Sequence, residues 1–241
     1  MADPKKREEL SGVVEDALGF NFRSLKTLRD LILRPRTVFQ AYAERDRVRY
    51  TPAIRLFLGL VGLQVLISTL WGGWAGLMRR QIETSDPAVR DMYVQISGDR
   101  LEPYLQHYGD AMGVGQPLLV AGFSSLSVFV LGWFRPALSW PSRLNIGMGV
   151  LTVGSVVGLL LMPVLIMPDS ARWSGLSMLA IGVVYFITLL RGAPGVLADT
   201  TAGAWGKAFV FTLVLMLLVV LAGIVMALVG MGYALFRLGP A

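Results

Sequence analysis

Charge vanishes from this chain in five long windows. Residues 56–78, 111–134, 144–168, 173–190 and 208–236 hold no Asp, Glu, Lys or Arg over 23, 24, 25, 18 and 29 positions. An α-helix rises about 1.5 Å per residue, so roughly 20 apolar residues cross the ~30 Å hydrocarbon core of a bilayer. Each window predicts one crossing. The last would run about 43 Å as a straight helix and is expected to tilt or protrude. Backbone N–H and C=O groups in lipid have no water to bond, which makes these windows helices. The pattern predicts an all-α, polytopic membrane protein. Its five transmembrane helices lie in a domain over residues 52–237, after an arm at 1–51, with an outer loop at 79–115.

The polar segments carry their own periodicity. Phe22, Leu25, Leu28, Leu31 and Ile32 recur at helical spacing while Arg23, Lys26 and Arg29 project elsewhere. That is the pattern of a basic amphipathic helix lying on anionic headgroups. Pro35 is expected to end it, and a second short helix to run from Thr37 to Glu44, with Phe39 and Tyr42 as anchors. In the outer loop, Ser85 or Asp86 is placed to cap a helix that opens at Pro87 and stops at Gly98. The stretch EPYLQHYGDAMG predicts a second short helix. Tyr93, Tyr104 and Tyr108 suit the outer interface, and His107 reads as a polar residue there.

Composition supports lipid as the solvent. Hydrophobic residues make up 54% and charged residues 16% of the chain, against about 25% charged in an average soluble domain. Mean hydropathy is +0.60. The net charge of +6 is assigned to headgroups and orientation rather than to nucleic acid. With the amino terminus inside, the inner segments and the inner edge of the first span carry sixteen Lys and Arg, and the outer segments six. Cytoplasmic loops are enriched in these residues, so the amino terminus is expected in the cytoplasm and the carboxyl terminus outside. No apolar run of seven or more precedes residue 50, so no cleavable signal peptide is expected. The chain has no cysteine and one histidine, which excludes disulfides, thiolate chemistry and multi-histidine metal sites.

Candidate chemistry is sparse. The window interiors hold no ionisable side chain, which weighs against a proton- or ion-coupled transporter. Gln64 and Asn145 are the strongest polar groups there and define a candidate polar crevice. Arg34, Arg36, Arg45, Arg47 and Arg49 are candidates for contact with a partner or with lipid headgroups. Arg191, Asp199 and Lys207 form a candidate inner-side cluster, around a loop that holds Pro194. Small-residue pairs at Gly72/Gly76, Gly154/Gly158 and Gly230/Ala234 predict close helix packing, and Pro163 a kink. No catalytic, cofactor or metal constellation is expected.

The run LKTLRDLILRPRTVFQAYAERDRVRYTPAIRLFL, residues 25–58, places Arg34, Pro35, Phe39, Tyr42, Arg45, Arg47, Tyr50 and Pro52 in order. This segment resembles the lead-in to the first span of a bacterial family of multi-span membrane proteins known as a domain of unknown function. Relatives often have a glycine after the Arg-Pro, a Gly-Lys-Arg-like run after the tyrosine and a cysteine-rich zinc ribbon. This chain has Arg36, AERDR and no cysteine instead. The layout of a cytoplasmic amino terminus and five spans is similar to the Yip-type family, whose members act in membrane traffic through protein partners. Neither resemblance supplies a catalytic residue. The expected function is that of a non-enzymatic adaptor or accessory subunit in a bacterial inner membrane. Its partners would be an anionic bilayer and other membrane subunits, with homo-oligomerisation open. The alternative is a passive lipid or small-solute conduit. A lipid enzyme built on Arg191, Asp199 and Lys207 ranks third.

Overall fold

The computed structural model of the chain describes residues 22–46, 48–165 and 170–239. Arg47, residues 1–21 of the predicted arm and residues 166–168 of the third window lie outside them. Ten helices are described: α1 Phe22–Leu33, α2 Pro35–Ala43, α3 Ala53–Thr69, α4 Gly73–Glu83, α5 Pro87–Ser97, α6 Leu101–Ser125, α7 Ser127–Phe134, α8 Trp140–Leu165, α9 Ser170–Gly192 and α10 Thr201–Leu238. Apart from an isolated bridge between Pro194 and Ala198, the regular structure of the described residues is helical, as the windows required.

Among the described residues, four stretches are long and apolar enough to cross a membrane: Leu101–Phe134, Trp140–Val164, Gly175–Gly192 and Thr201–Leu238. The most apolar part of α10 has a mean hydropathy of 3.0, yet only 22% of it is buried. Such a surface is stable against lipid and not against water. At 38 residues α10 would be about 57 Å long, well beyond the hydrocarbon thickness.

The first predicted span differs from its expectation. It is a pair, α3 and α4, bent by 58°, and it makes a fifth crossing only if the two halves cross together. The cause is local. Gly72 and Gly73 adopt φ of +85° and +61°, a left-handed conformation that no other residue type takes as cheaply. Arg80 closes the break by donating to the Trp71 carbonyl at 2.6 Å, a group the interrupted helix leaves unpaired.

The second outer-loop helix is also not separate. It is the first part of α6 and runs on into the second span. A break near the bilayer would leave backbone groups unpaired, so the helix continues through Gly109, Gly113, Gly115 and Pro117. The first outer-loop helix matches its expectation. Asp86 caps α5 by accepting from the Ala88 N–H at 2.9 Å, and Gly98 ends it with φ of +58°.

Two compact units make up the chain. One comprises Met1–Gly62, Ser127–Val157 and Gly182–Leu213; the other comprises Leu63–Leu126, Gly158–Ile181 and Val214–Ala241. The second packs Ile82, Tyr104, Leu105, Tyr108, Met112, Met226 and Ala234 into one core. There α4 and α6 meet so closely that a Cβ on Gly109 would lie 2.7 Å from the Ala75 nitrogen. Arg79 and Glu102 pair across the same two helices. Gly154, in the first unit, lies under the Tyr185 ring, and Gly230, in the second, under Tyr108, so these small residues serve packing within the chain.

Candidate functional site

The site is built from α1, α2 and the loop that leads into α3. In α1 the helical repeat buries Ser24, Thr27, Asp30 and Leu31 on one side. The inward face is mostly polar, and Phe22, Leu25, Ile32 and Leu33 stay exposed. Lys26 and Arg29 share this outer side by helical spacing, being four and seven residues from Phe22. The expectation of one apolar stripe needs amendment, because Leu31 turns inward and the basic residues interleave with the other apolar ones. Arg34 separates the two helices, and Pro35 opens α2 at a position that needs no N–H.

The buried polar face of α1 meets the loop after α2. Thr27 Oγ1 accepts from the Thr51 N–H at 3.0 Å, and the Ser24 and Thr51 hydroxyls lie 3.3 Å apart. Tyr42 donates its hydroxyl to the Thr51 carbonyl at 2.8 Å. Tyr50 donates to Asp30 Oδ2 at 3.1 Å, while Arg29 donates to Oδ1 at 2.9 and 3.1 Å. Lys26 and Arg49 sit over the Tyr50 ring at 5.3 and 5.4 Å. Partial burial works to raise the Asp30 carboxyl, but the hydrogen bonds from Arg29 and Tyr50 and the Arg29 and Lys26 charges outweigh it and hold it below its ordinary value. Burial and the Asp30 carboxylate push the Tyr50 hydroxyl up. Burial raises Tyr42 as well.

Long-range contacts lock this hairpin in place. Phe39 is fully buried, and a Cβ on Gly192 would lie 2.3 Å from its ring. Arg191 donates to the Ile32 and Leu33 carbonyls at 3.1 and 2.5 Å. These are terminal carbonyls of α1, where a cation also meets the negative end of the helix dipole. Arg36 comes close to Gly195, Arg45 donates to Ser139 Oγ at 3.1 Å, and Asn145 Oδ1 accepts from the Ala53 N–H at 2.8 Å.

Arg191, Asp199 and Lys207 do not share a partner. Asp199 pairs with Arg135 at 3.0 Å. Lys207 donates to the Phe134 and Leu197 carbonyls at 3.0 and 2.6 Å. Asn145 belongs to the first unit and Gln64 to the second. Arg34, Arg36, Arg45 and Arg49 are exposed on the hairpin. Residues 22–55 hold nine basic and three acidic side chains, so the whole excess of +6 lies in this one segment and the rest of the chain balances. Sequence reading passed over Ser24, Thr27 and Asp30 as members of the site. Their spacing of three was the available signal of a polar inward face.

Helical architecture and apolar spans define an integral, polytopic membrane protein with a structured basic hairpin ahead of its first span. A family model described as a protein of unknown function (DUF3667) matches residues 23–65, under a fifth of the chain. The matched stretch coincides with the hairpin and the start of the first span, as the resemblance at residues 25–58 implied. No curated protein and no solved structure matches the chain.

Proposed function

We propose that the chain is a non-enzymatic adaptor, an accessory subunit of a complex in a bacterial inner membrane, and that residues 22–55 are its docking element on the cytoplasmic side. One observation carries this reading: the entire positive excess of the chain sits on a hairpin whose buried polar groups hold its fold. Asp30, Tyr50, Thr27, Thr51 and Tyr42 serve one another, and Arg34, Arg36 and Arg49 face outward. A rigid array of guanidinium groups recognises carboxylates with little ordering cost. Phe22, Leu25 and Ile32, interleaved with Lys26 and Arg29, suit the acyl–headgroup boundary of an anionic leaflet. Against a lipid enzyme stands the engagement of Arg191, Asp199 and Lys207 in separate structural contacts.

Purification in mild detergent tests the reading. Wild type is expected to retain a stoichiometric membrane subunit. A variant with Arg34, Arg36 and Arg49 changed to Gln should lose it while the chain still elutes as a folded, monodisperse species. A lone wild-type chain that moves lipid or solute across vesicles would replace this reading with the passive conduit. Lipid turnover abolished by Asp199→Ala and Lys207→Ala would replace it with the enzyme.

A further inference from the structure

The second unit contains a crevice of about 550 Å³ between α6 and α10, a volume within the usual range for small-ligand sites. Its surface is almost wholly apolar, and the two residues along it that carry a polar side-chain end are Asp110 and Tyr233. Asp110 immediately precedes the charge-free window that starts at residue 111, and Tyr233 lies three residues before the end of the last window. Both polar groups thus mark the same edge of the hydrocarbon. From Asp110 the lining runs along α6 to Leu119, about 14 Å at 1.5 Å per residue. That is roughly half of a ~30 Å hydrocarbon core, the depth of one leaflet.

The end of the Met226 side chain lies against α6 at Gly115, where a Cβ would come within 2.5 and 2.7 Å of its Cε and Sδ atoms. The mouth has an unbalanced charge. Asp110 accepts from Gln106 Nε2 at 3.4 Å, and among the described residues no Lys, Arg or His forms an ion pair with it. A carboxylate at the edge of lipid favours a cation beside it. The ligand that supplies a cation at the headgroup level and an apolar tail one leaflet long is a phospholipid with a primary ammonium headgroup.

We propose that this crevice is a binding site for such an amine-bearing phospholipid. One acyl chain fills the channel lined by Val114, Leu118 and Val229, and the ammonium group donates to Asp110. Tyr233 stands at the same mouth, where its hydroxyl donates to an ester or phosphate oxygen.

Native mass spectrometry of the full chain in mild detergent tests this. The probes are phosphatidylethanolamine and phosphatidylglycerol with identical acyl chains. Wild type is expected to retain one equivalent of the ethanolamine lipid in preference to the glycerol lipid by roughly tenfold, the scale of a charge-assisted hydrogen bond. Asp110→Asn should abolish the headgroup preference. Val229→Trp should reduce retention of both lipids. Should that variant fail to fold, Leu118→Phe applies the same block from α6. Equal retention of the two headgroups by wild type overturns the proposal, as does a preference that survives Asp110→Asn. A second copy of the chain covering the crevice, seen as a dimer that excludes lipid, overturns it too.

Discussion

Asp30 is only 6% exposed, a position where a bare carboxylate is costly. Three donors satisfy it, two from Arg29 and one from Tyr50. The linkage to pH has a definite sign. Asp30 is held below its ordinary value of 3.8, so its contribution is present above 3.8 and disappears as the pH falls through the lowered folded value. Tyr50 is held above its ordinary value of 10.0, so its contribution is complete below 10.0 and disappears as the pH rises through the raised folded value. Amide hydrogen exchange of residues 22–51 should show constant hairpin protection between those limits and loss outside them. Tyr50→Phe should cost about 1 kcal/mol, the net value of one hydrogen bond, and Asp30→Ala more, because it removes all three bonds and leaves the buried Tyr50 hydroxyl without its acceptor. Gly192 tests packing in the same way. Adding one methyl group there drives it into the Phe39 ring, and Gly192→Ala should cost about 1–3 kcal/mol in thermal unfolding. Because the two side chains then compete for one space, the cost combined with Phe39→Ala should fall short of the sum. Additive costs would separate Gly192 from the Phe39 seat.

Among elements, the break between α3 and α4 is the least expected and the most informative. Charge-free length located the other spans because hydrocarbon excludes charge and enforces helix. The same criterion passes over glycine, which is neutral, and so it read residues 56–78 as one helix. The adjacent Gly72 and Gly73 within WGGW were the visible sign, since paired glycines punctuate helices. Asn145 shows the opposite limit. It looked like a polar group in a crevice, yet it holds the first N–H of α3 from 92 residues away. Arg191 reaches Leu33 across 158 residues. No local periodicity encodes such partners, because they depend on how helices pack. The aromatic and proline positions of the hairpin were legible as a motif, but their use was not: Phe39 fits a glycine, while Tyr42 and Tyr50 tie down a loop. If the bend is set by the glycines, Gly72→Ala and Gly73→Ala should each lower stability by about 1–2 kcal/mol, the cost of forcing a side chain into the left-handed region. Thermal unfolding in detergent measures this. Neutral substitutions would mean that packing, not backbone conformation, imposes the bend.

At the scale of the whole molecule, that bend decides the topology of everything after it. If α3 and α4 cross together, five crossings place Ser85 and Ala241 outside and Ser139 inside. If they return to the side they left, all three positions invert. The basic residues of the leader predict a cytoplasmic amino terminus in either case. Downstream they do not choose, because the five-crossing arrangement leaves four Lys and Arg inside and six outside beyond the first span. The charge-free windows, each long enough to cross once, predict five crossings. The native chain contains no cysteine, so single cysteines at Ser85, Ser139 and Ala241 can be labelled with a membrane-impermeant maleimide without background. Ser85→Cys and Ala241→Cys are expected to react in intact cells, and Ser139→Cys only after permeabilisation. The inverse pattern would make α3 and α4 a re-entrant loop and bring both ends of the chain to the cytoplasm. The basic hairpin would keep its side of the membrane, and the lipid crevice at Asp110 would move to the inner leaflet.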